Sequence, residues 1–144
     1  MAHADPRVSE LIPTNNAGAR FERALEAIIN QRLDRPFEVL VIDSGSTDDT
    51  LTLCREHGVR IVSVPPSQFG HGRTRNVGIA QCRGEYIVLT VQDAIPADEN
   101  WLWPLVAALD QDPRVAGAYS RHIAHEGAGF IARQTAEYWH RRQG

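Results

Sequence analysis

Four short polar clusters carry the residue types that chemistry needs. Gln92-Asp93-Ala94 follows the apolar, β-branched run 86–91, and Pro96 soon after cannot continue a strand ladder. That run has the pattern of a strand buried on both faces. An acid at its end stands where open α/β sheets bind ligands. Asp43-Ser44-Gly45-Ser46 follows the apolar run 37–42 in the same way, and Pro13-Thr14-Asn15-Asn16 follows 8–12. The fourth cluster, 67–76, brings His71, Arg73 and Arg75 to a helix start, where free amide groups and basic side chains suit an anion. Each cluster also reads as ordinary turn chemistry, and the two arginines as a solvated helix face. Four such clusters at one edge of one sheet converge on a single cleft.

Asp93 has the chemistry to hold Mg²⁺ or Mn²⁺. Such ions are commonly bound by one or two carboxylates, with phosphate oxygens and water completing the set. His122 and His125 form a pair without a third ligand and read as surface or cleft-rim histidines.

The elements that must position these clusters alternate along the chain. Residues 1–7 read as a disordered lead. Strands are expected at 8–12, 37–42, 59–64 and 86–91, with a short fifth at 115–119. Between them fall helical patterns. Phe21, Leu25, Ile28 and Ile29 make one apolar stripe. Ser46 and Asp49 have the spacing of a capping box, and Gly58 stops the helix they open. A third helix is expected at 74–82 and a fourth near 100–110, starting late enough to keep Pro104 in its first turn. A last amphipathic segment, 127–142, gathers Phe130, Ile131, Gln134, Tyr138 and Trp139 on one broad face. The alternation predicts a doubly wound, mostly parallel α/β sheet over 8–144, with right-handed crossovers.

At 144 residues the chain suffices for one domain. A formal charge of −3 argues against a nucleic-acid partner. No apolar run is long enough to cross a bilayer, and the N-terminus lacks a signal-peptide core. Cys54 and Cys82 show neither CxxC nor zinc spacing and read as two reduced thiols, which points to the cytoplasm. A dinucleotide fold wants G-x-G-x-x-G after its first strand; Pro-Thr-Asn-Asn-Ala-Gly stands there instead, which argues against NAD. There is no G-x-x-x-x-G-K-[ST] loop either.

Taken together and in order, segments 8–16, 38–50, 72–80 and 84–96 resemble the donor-binding part of a family 2 glycosyltransferase of GT-A fold. Asp-Ser-Gly-Ser, His-Gly-Arg-Thr-Arg-Asn and Gln-Asp-Ala are most similar to bacterial rhamnosyltransferase-like members. The resemblance implies that Pro13, Thr14 and Asn15 line the nucleoside, and that Asp43 and Ser44 contact it. Arg73 and Arg75 would face the diphosphate. Asp93 would bind the metal, and Gln92, standing where relatives carry an acid, would reach the ribose. It implies an inverting transfer from a nucleoside-diphosphate sugar to a saccharide or lipid-linked acceptor in polysaccharide biosynthesis, at the cytoplasmic side of the inner membrane. The general base would lie beyond Gly144. The alternatives are a nucleotide-sugar binding module without turnover, or a nucleotidyltransferase. The apolar face of the last helix is expected to drive dimerisation in isolation.

Overall fold

A computed structural model describes residues 5–142, with side chains through Tyr138. Most of the expected disordered lead lies outside the described residues. Arg7 does not fit it: its N–H donates to Pro36 O and its guanidinium pairs with Glu85. The chain forms two compact units, divided between Pro104 and Leu105.

The first unit holds four strands: β1 (Val8–Thr14), β2 (Phe37–Asp43), β3 (Arg60–Ser63) and β4 (Tyr86–Leu89). They lie in the order β3-β2-β1-β4, all parallel. Three helices connect them: α1 (Phe21–Ile29), α2 (Thr50–Glu56) and α3 (His71–Ile79). The chain moves outward from β1 to β3, then returns to the far side of β1 for β4. With right-handed crossovers, that reversal sends α3 to the opposite face from α1 and α2. The cores agree: Phe21, Leu25, Ile28 and Cys54 pack on Ile12 and Val41, while Ile79 and Cys82 pack on Leu11, Leu40 and Ile42. α3 sits so close that a Cβ on Gly78 would come within 2.6 Å of Leu11 Cδ1.

Several expected elements are revised. β4 is an edge strand among the described residues, not one buried on both faces, and it ends at Leu89. Its burial alternates: Ile87 and Leu89 are exposed while Tyr86 and Val88 are half-buried. Residues 115–119 form no strand: of Val-Ala-Gly-Ala-Tyr only Val115 and Tyr119 favour extended pairing, and the central Ala-Gly-Ala does not. α2 starts at Thr50 with no side-chain cap, since Ser46 is drawn to Asp43 instead. α3 begins at His71, three residues before the expected start, after the extended Gly70.

α4 (Leu102–Gln111) keeps Pro104 in its first turn, where a missing N–H breaks no helical bond. Its first amide is held by Gln31 Oε1 at 2.9 Å, and Gln31 Nε2 donates to Asp98 O at 2.7 Å. A buried carboxamide thus fixes the start of α4 to the end of α1. In the second unit, α5 (Phe130–Arg142) leaves Phe130 and Ile131 about four-fifths exposed, with Tyr138 half exposed. The side chain of Trp139, expected on that face, lies outside the described residues.

Candidate functional site

In a doubly wound sheet the ligand crevice forms at the carboxyl ends of the strands, where the strand order reverses. Here that place is the top of β1 and β4, and the polar clusters that follow β1, β2 and β4 are hydrogen-bonded to one another there. Thr14 ends β1 beside Asp43, which ends β2, and its hydroxyl donates to Asp43 Oδ1 at 2.8 Å. Asn15 N–H donates to Gln92 Oε1 at 2.9 Å, and its side-chain amide donates to Ser44 O at 2.9 Å. One residue after β1 therefore ties the loops that follow β2 and β4.

Asp43 is almost fully buried. Burial by itself would raise its pKa. Four hydrogen bonds outweigh it and hold the carboxyl below the usual range: the Ser46 hydroxyl, Ser46 N–H, the Thr14 hydroxyl and Gly45 N–H. Its oxygens are thereby committed to shaping the turn. Gly45 in that turn has φ +93°, and a Cβ there would meet Pro66 Cγ at 2.6 Å. Glycine is needed on both counts, and the close approach sets the 66–68 turn against the β2 loop. Ser44 is buried too, and its hydroxyl has no hydrogen-bond partner among the described residues.

Reading the sequence for chemistry placed Asn16 in a polar cluster but gave neither it nor Asp48 a role of its own. Asn16 takes a left-handed conformation, φ 46°, which Asn tolerates better than most residues. Its N–H donates to Ser46 Oγ at 2.8 Å, and its Oδ1 accepts Thr47 N–H at 2.8 Å. Asp48 accepts Gly18 N–H at 3.1 Å and Thr50 N–H at 3.1 Å. The signal was present in Asn-Asn-Ala-Gly and Ser-Thr-Asp-Asp, whose short polar side chains bond nearby backbone. What it could not reveal is that each loop satisfies the other.

The remaining expected residues are less closely joined. Asp93 is exposed, one residue beyond the Gln92 tie. Among the described residues no three His, Cys, Asp or Glu are grouped to hold a metal, so an ion at Asp93 would draw other ligands from a bound molecule. Arg73 is exposed in the first turn of α3. Arg75 is half-buried and turns back along its helix to donate to His71 O at 3.0 Å. Pro13 is half-buried between Ile12 and Thr14. His122 and His125 line a hollow of about 490 Å³ in the second unit, with Arg121, Glu126, Arg133 and Glu137.

A parallel sheet with polar loops tied at its switch point is an open α/β fold that takes its ligand at that edge, and its likeness to solved sugar transferases makes it one of GT-A type. Residues 9–143 match glycosyl transferase family 2, and the chain belongs to that family. It is 34% identical over 129 residues to the O-antigen chain rhamnosyltransferase WbaN of Salmonella anatum, covering 88% of this chain and 40% of that protein. The mannosyltransferase PcManGT of Pyrobaculum calidifontis, solved with GDP-Man and Mn²⁺, superposes with a TM-score of 0.65 at 30% identity, over 78% of this chain and 34% of that one. TarS of S. aureus, at 23% identity, shares the fold with a TM-score of 0.65, over 83% of this chain and 40% of the TarS chain. The chain thus spans about two-fifths of the length of WbaN and of the TarS chain.

Proposed function

We propose that this chain is the donor-binding portion of a metal-dependent, inverting glycosyltransferase that moves a sugar from a nucleoside diphosphate to a hydroxyl acceptor. The observation that carries the reading is the joining of the β1, β2 and β4 loops through Asn15, with the exposed Asp93 carboxylate beside the join. Pro13, Thr14, Asn15 and the unpartnered Ser44 hydroxyl would line the nucleoside. Asp43 would act behind them by holding the turn, because its oxygens already serve four donors. Gln92 would act in the same way, since its carbonyl is occupied by Asn15. Arg73 and the first-turn amides of α3 would face the diphosphate, with Arg75 bracing that turn.

Asp93 would hold Mg²⁺ or Mn²⁺, the latter bound in PcManGT. The ion, when present, offsets negative charge on the diphosphate. In an inverting transfer the acceptor oxygen bonds to the anomeric carbon as the bond to the diphosphate oxygen breaks, and a carboxylate base takes the acceptor proton. No residue described here is assigned as that base. The similarity to WbaN, an O-antigen chain rhamnosyltransferase, supports a role in polysaccharide assembly, for which the proposed acceptor is a saccharide or a lipid-linked one.

Calorimetric titration with UDP and with GDP, with and without Mn²⁺, tests the donor site. Asp93→Ala should weaken Mn²⁺-dependent binding by about tenfold or more, roughly the loss of one charge-assisted contact, and leave thermal stability unchanged. Equal affinity in variant and wild type would remove Asp93 from the site. Release of free nucleoside diphosphate from a donor sugar separates turnover from binding alone. The exposed Phe130, Ile131 and Tyr138 of α5 should make the chain dimerise. A strict monomer by light scattering would end that part of the reading.

A further inference from the structure

Glu10 lies in the central strand, opposite Val39 of β2 and Val88 of β4, and is fully buried. Neither of its carboxyl oxygens has a hydrogen-bond partner among the described residues, and neither has the Thr90 hydroxyl. The two side chains share one face of the sheet, because Thr90 follows Val88 by two residues and the strand period is two. Their surroundings are apolar. Ile12 on that face packs against Phe21, Leu25 and Ile28 of α1, and the charged residues of α1, Glu22, Arg23 and Glu26, are exposed. β2 presents Val39, Val41 and, at its far end, Asp43, while β4 presents Val88 and Tyr86. Cys54 of α2 packs in the same core, so Tyr86, Cys54 and Asp43 are titratable groups on this face.

Thr90 also matters through its backbone. Its N–H donates to Leu11 O at 3.2 Å, the last backbone bond from β4 to β1 among the described residues. Two residues later Gln92 takes the Asn15 N–H. We propose that Glu10, as a neutral carboxylic acid, is a positioning residue that with Thr90 holds the end of β4 on β1 and so sets where Gln92 and Asp93 stand. The consequence at Asp93 rests on the donor-site reading; the holding of β4 does not.

A neutral carboxyl can donate to Thr90 Oγ1 and also accept its proton. A carboxylate can only accept, and it brings unpaired charge into an apolar site. The weak seam for relieving that charge is β4, an edge strand held by a four-residue ladder. Burial raises the Glu10 pKa from 4.5 to about 7, opposed in part by the Thr90 hydroxyl, which lies near the carboxyl but outside hydrogen-bonding geometry. The native fold therefore holds the proton more tightly than the unfolded chain does. The stability this adds is complete below pH 4.5 and is lost as pH rises through about 7.

Carboxyl-carbon NMR titration and amide exchange, on wild type and Glu10→Gln, test the proposal. The Glu10 carboxyl should titrate near pH 7. After correction for intrinsic exchange, Thr90 and Asn15 amides in wild type should lose about tenfold more protection than Leu40 between about pH 5.5 and 8.5, the equivalent of one pH unit of linkage. In Glu10→Gln the loss should vanish. If that variant does not fold, the volume-matched, non-titrating Glu10→Met serves in its place. A carboxyl titrating near its ordinary value, unchanged Thr90 protection, or the same loss in the non-titrating variant would each overturn the proposal. Mn²⁺-dependent UDP binding should fall several-fold over the same pH range in wild type alone. If the amides behave as stated but UDP never binds, the donor-site reading fails and the holding role stands.

Discussion

Asp43→Ala is expected to lower the melting temperature by about 10 °C or more, and to weaken nucleotide binding only as a consequence. The carboxylate is almost fully buried and accepts from Thr14 Oγ1, Ser46 Oγ, Gly45 N and Ser46 N. Hydrogen bonds to a charged group contribute roughly 1.5–3 kcal/mol each and do not add fully. Removing a buried charged partner costs about 3–5 kcal/mol, and each kcal/mol shifts melting by a few degrees in a domain of this size. The buried Thr14 hydroxyl would lose its acceptor, and the β1 and β2 loops would lose a direct tie. Because the native pKa is lowered, this stability is present above about 3.8 and is lost as pH falls through the lower native value. Thermal melts of Asp43→Ala between pH 3 and 7 check both points. A variant that melts with wild type yet binds nucleotide poorly would make Asp43 a direct nucleoside contact.

Gly84→Ala should be at least as damaging, at the opposite end of the sheet. A Cβ there would stand 2.5 Å from Ser9 N, 2.6 Å from Val8 C and 2.8 Å from Val8 Cα. Backbone of the central strand cannot yield as a side chain can. Overpacking usually costs 1–3 kcal/mol, and this case should lie at about 3 kcal/mol or beyond. A polar knot holds the two segments together at that point. Ser9 Oγ donates to Glu38 Oε1 at 2.6 Å and accepts Gly84 N–H at 2.8 Å; Glu38 Oε1 also accepts Arg83 N–H, and Arg60 pairs with Glu38 at 3.0 Å. Gly72→Ala is the control: nothing lies within 4 Å of its Cβ position in α3, so that variant should be neutral or gain about 0.5–1 kcal/mol. Chemical denaturation of both variants decides it. A Gly84→Ala protein as stable as Gly72→Ala would show that the two segments can part without cost.

Much of the fold was legible because local patterns and the tertiary arrangement agree. The 37–42 run is half-buried and then buried, and α1 buries Phe21, Leu25 and Ile28 from its stripe. β4 was misread because a run such as Tyr-Ile-Val-Leu looks the same whether or not a strand covers its outer edge. The same limit applies to 115–119, where residue preference for strand could not supply a partner. Arg75 was expected at a helix entrance but stands in the second turn of α3, because the helix begins at His71, earlier than the Thr74 pattern implied, and this lets it reach back to His71 O.

Composition and spacing alone determined that strands and helices alternate, that polar loops follow the strands, and that no dinucleotide or P-loop signature is present. Those properties are local, set by residues a few positions apart. Only the tertiary structure decided which groups are spent and which remain open. Gln92 reaches across 77 positions to Asn15, and Asp43 is committed to its own turn and Thr14. Glu10, an unremarked acid in an apolar run, is sealed in the sheet without a partner among the described residues. Burial and long-range hydrogen bonding fix those roles, and neither is written in the order of the residues.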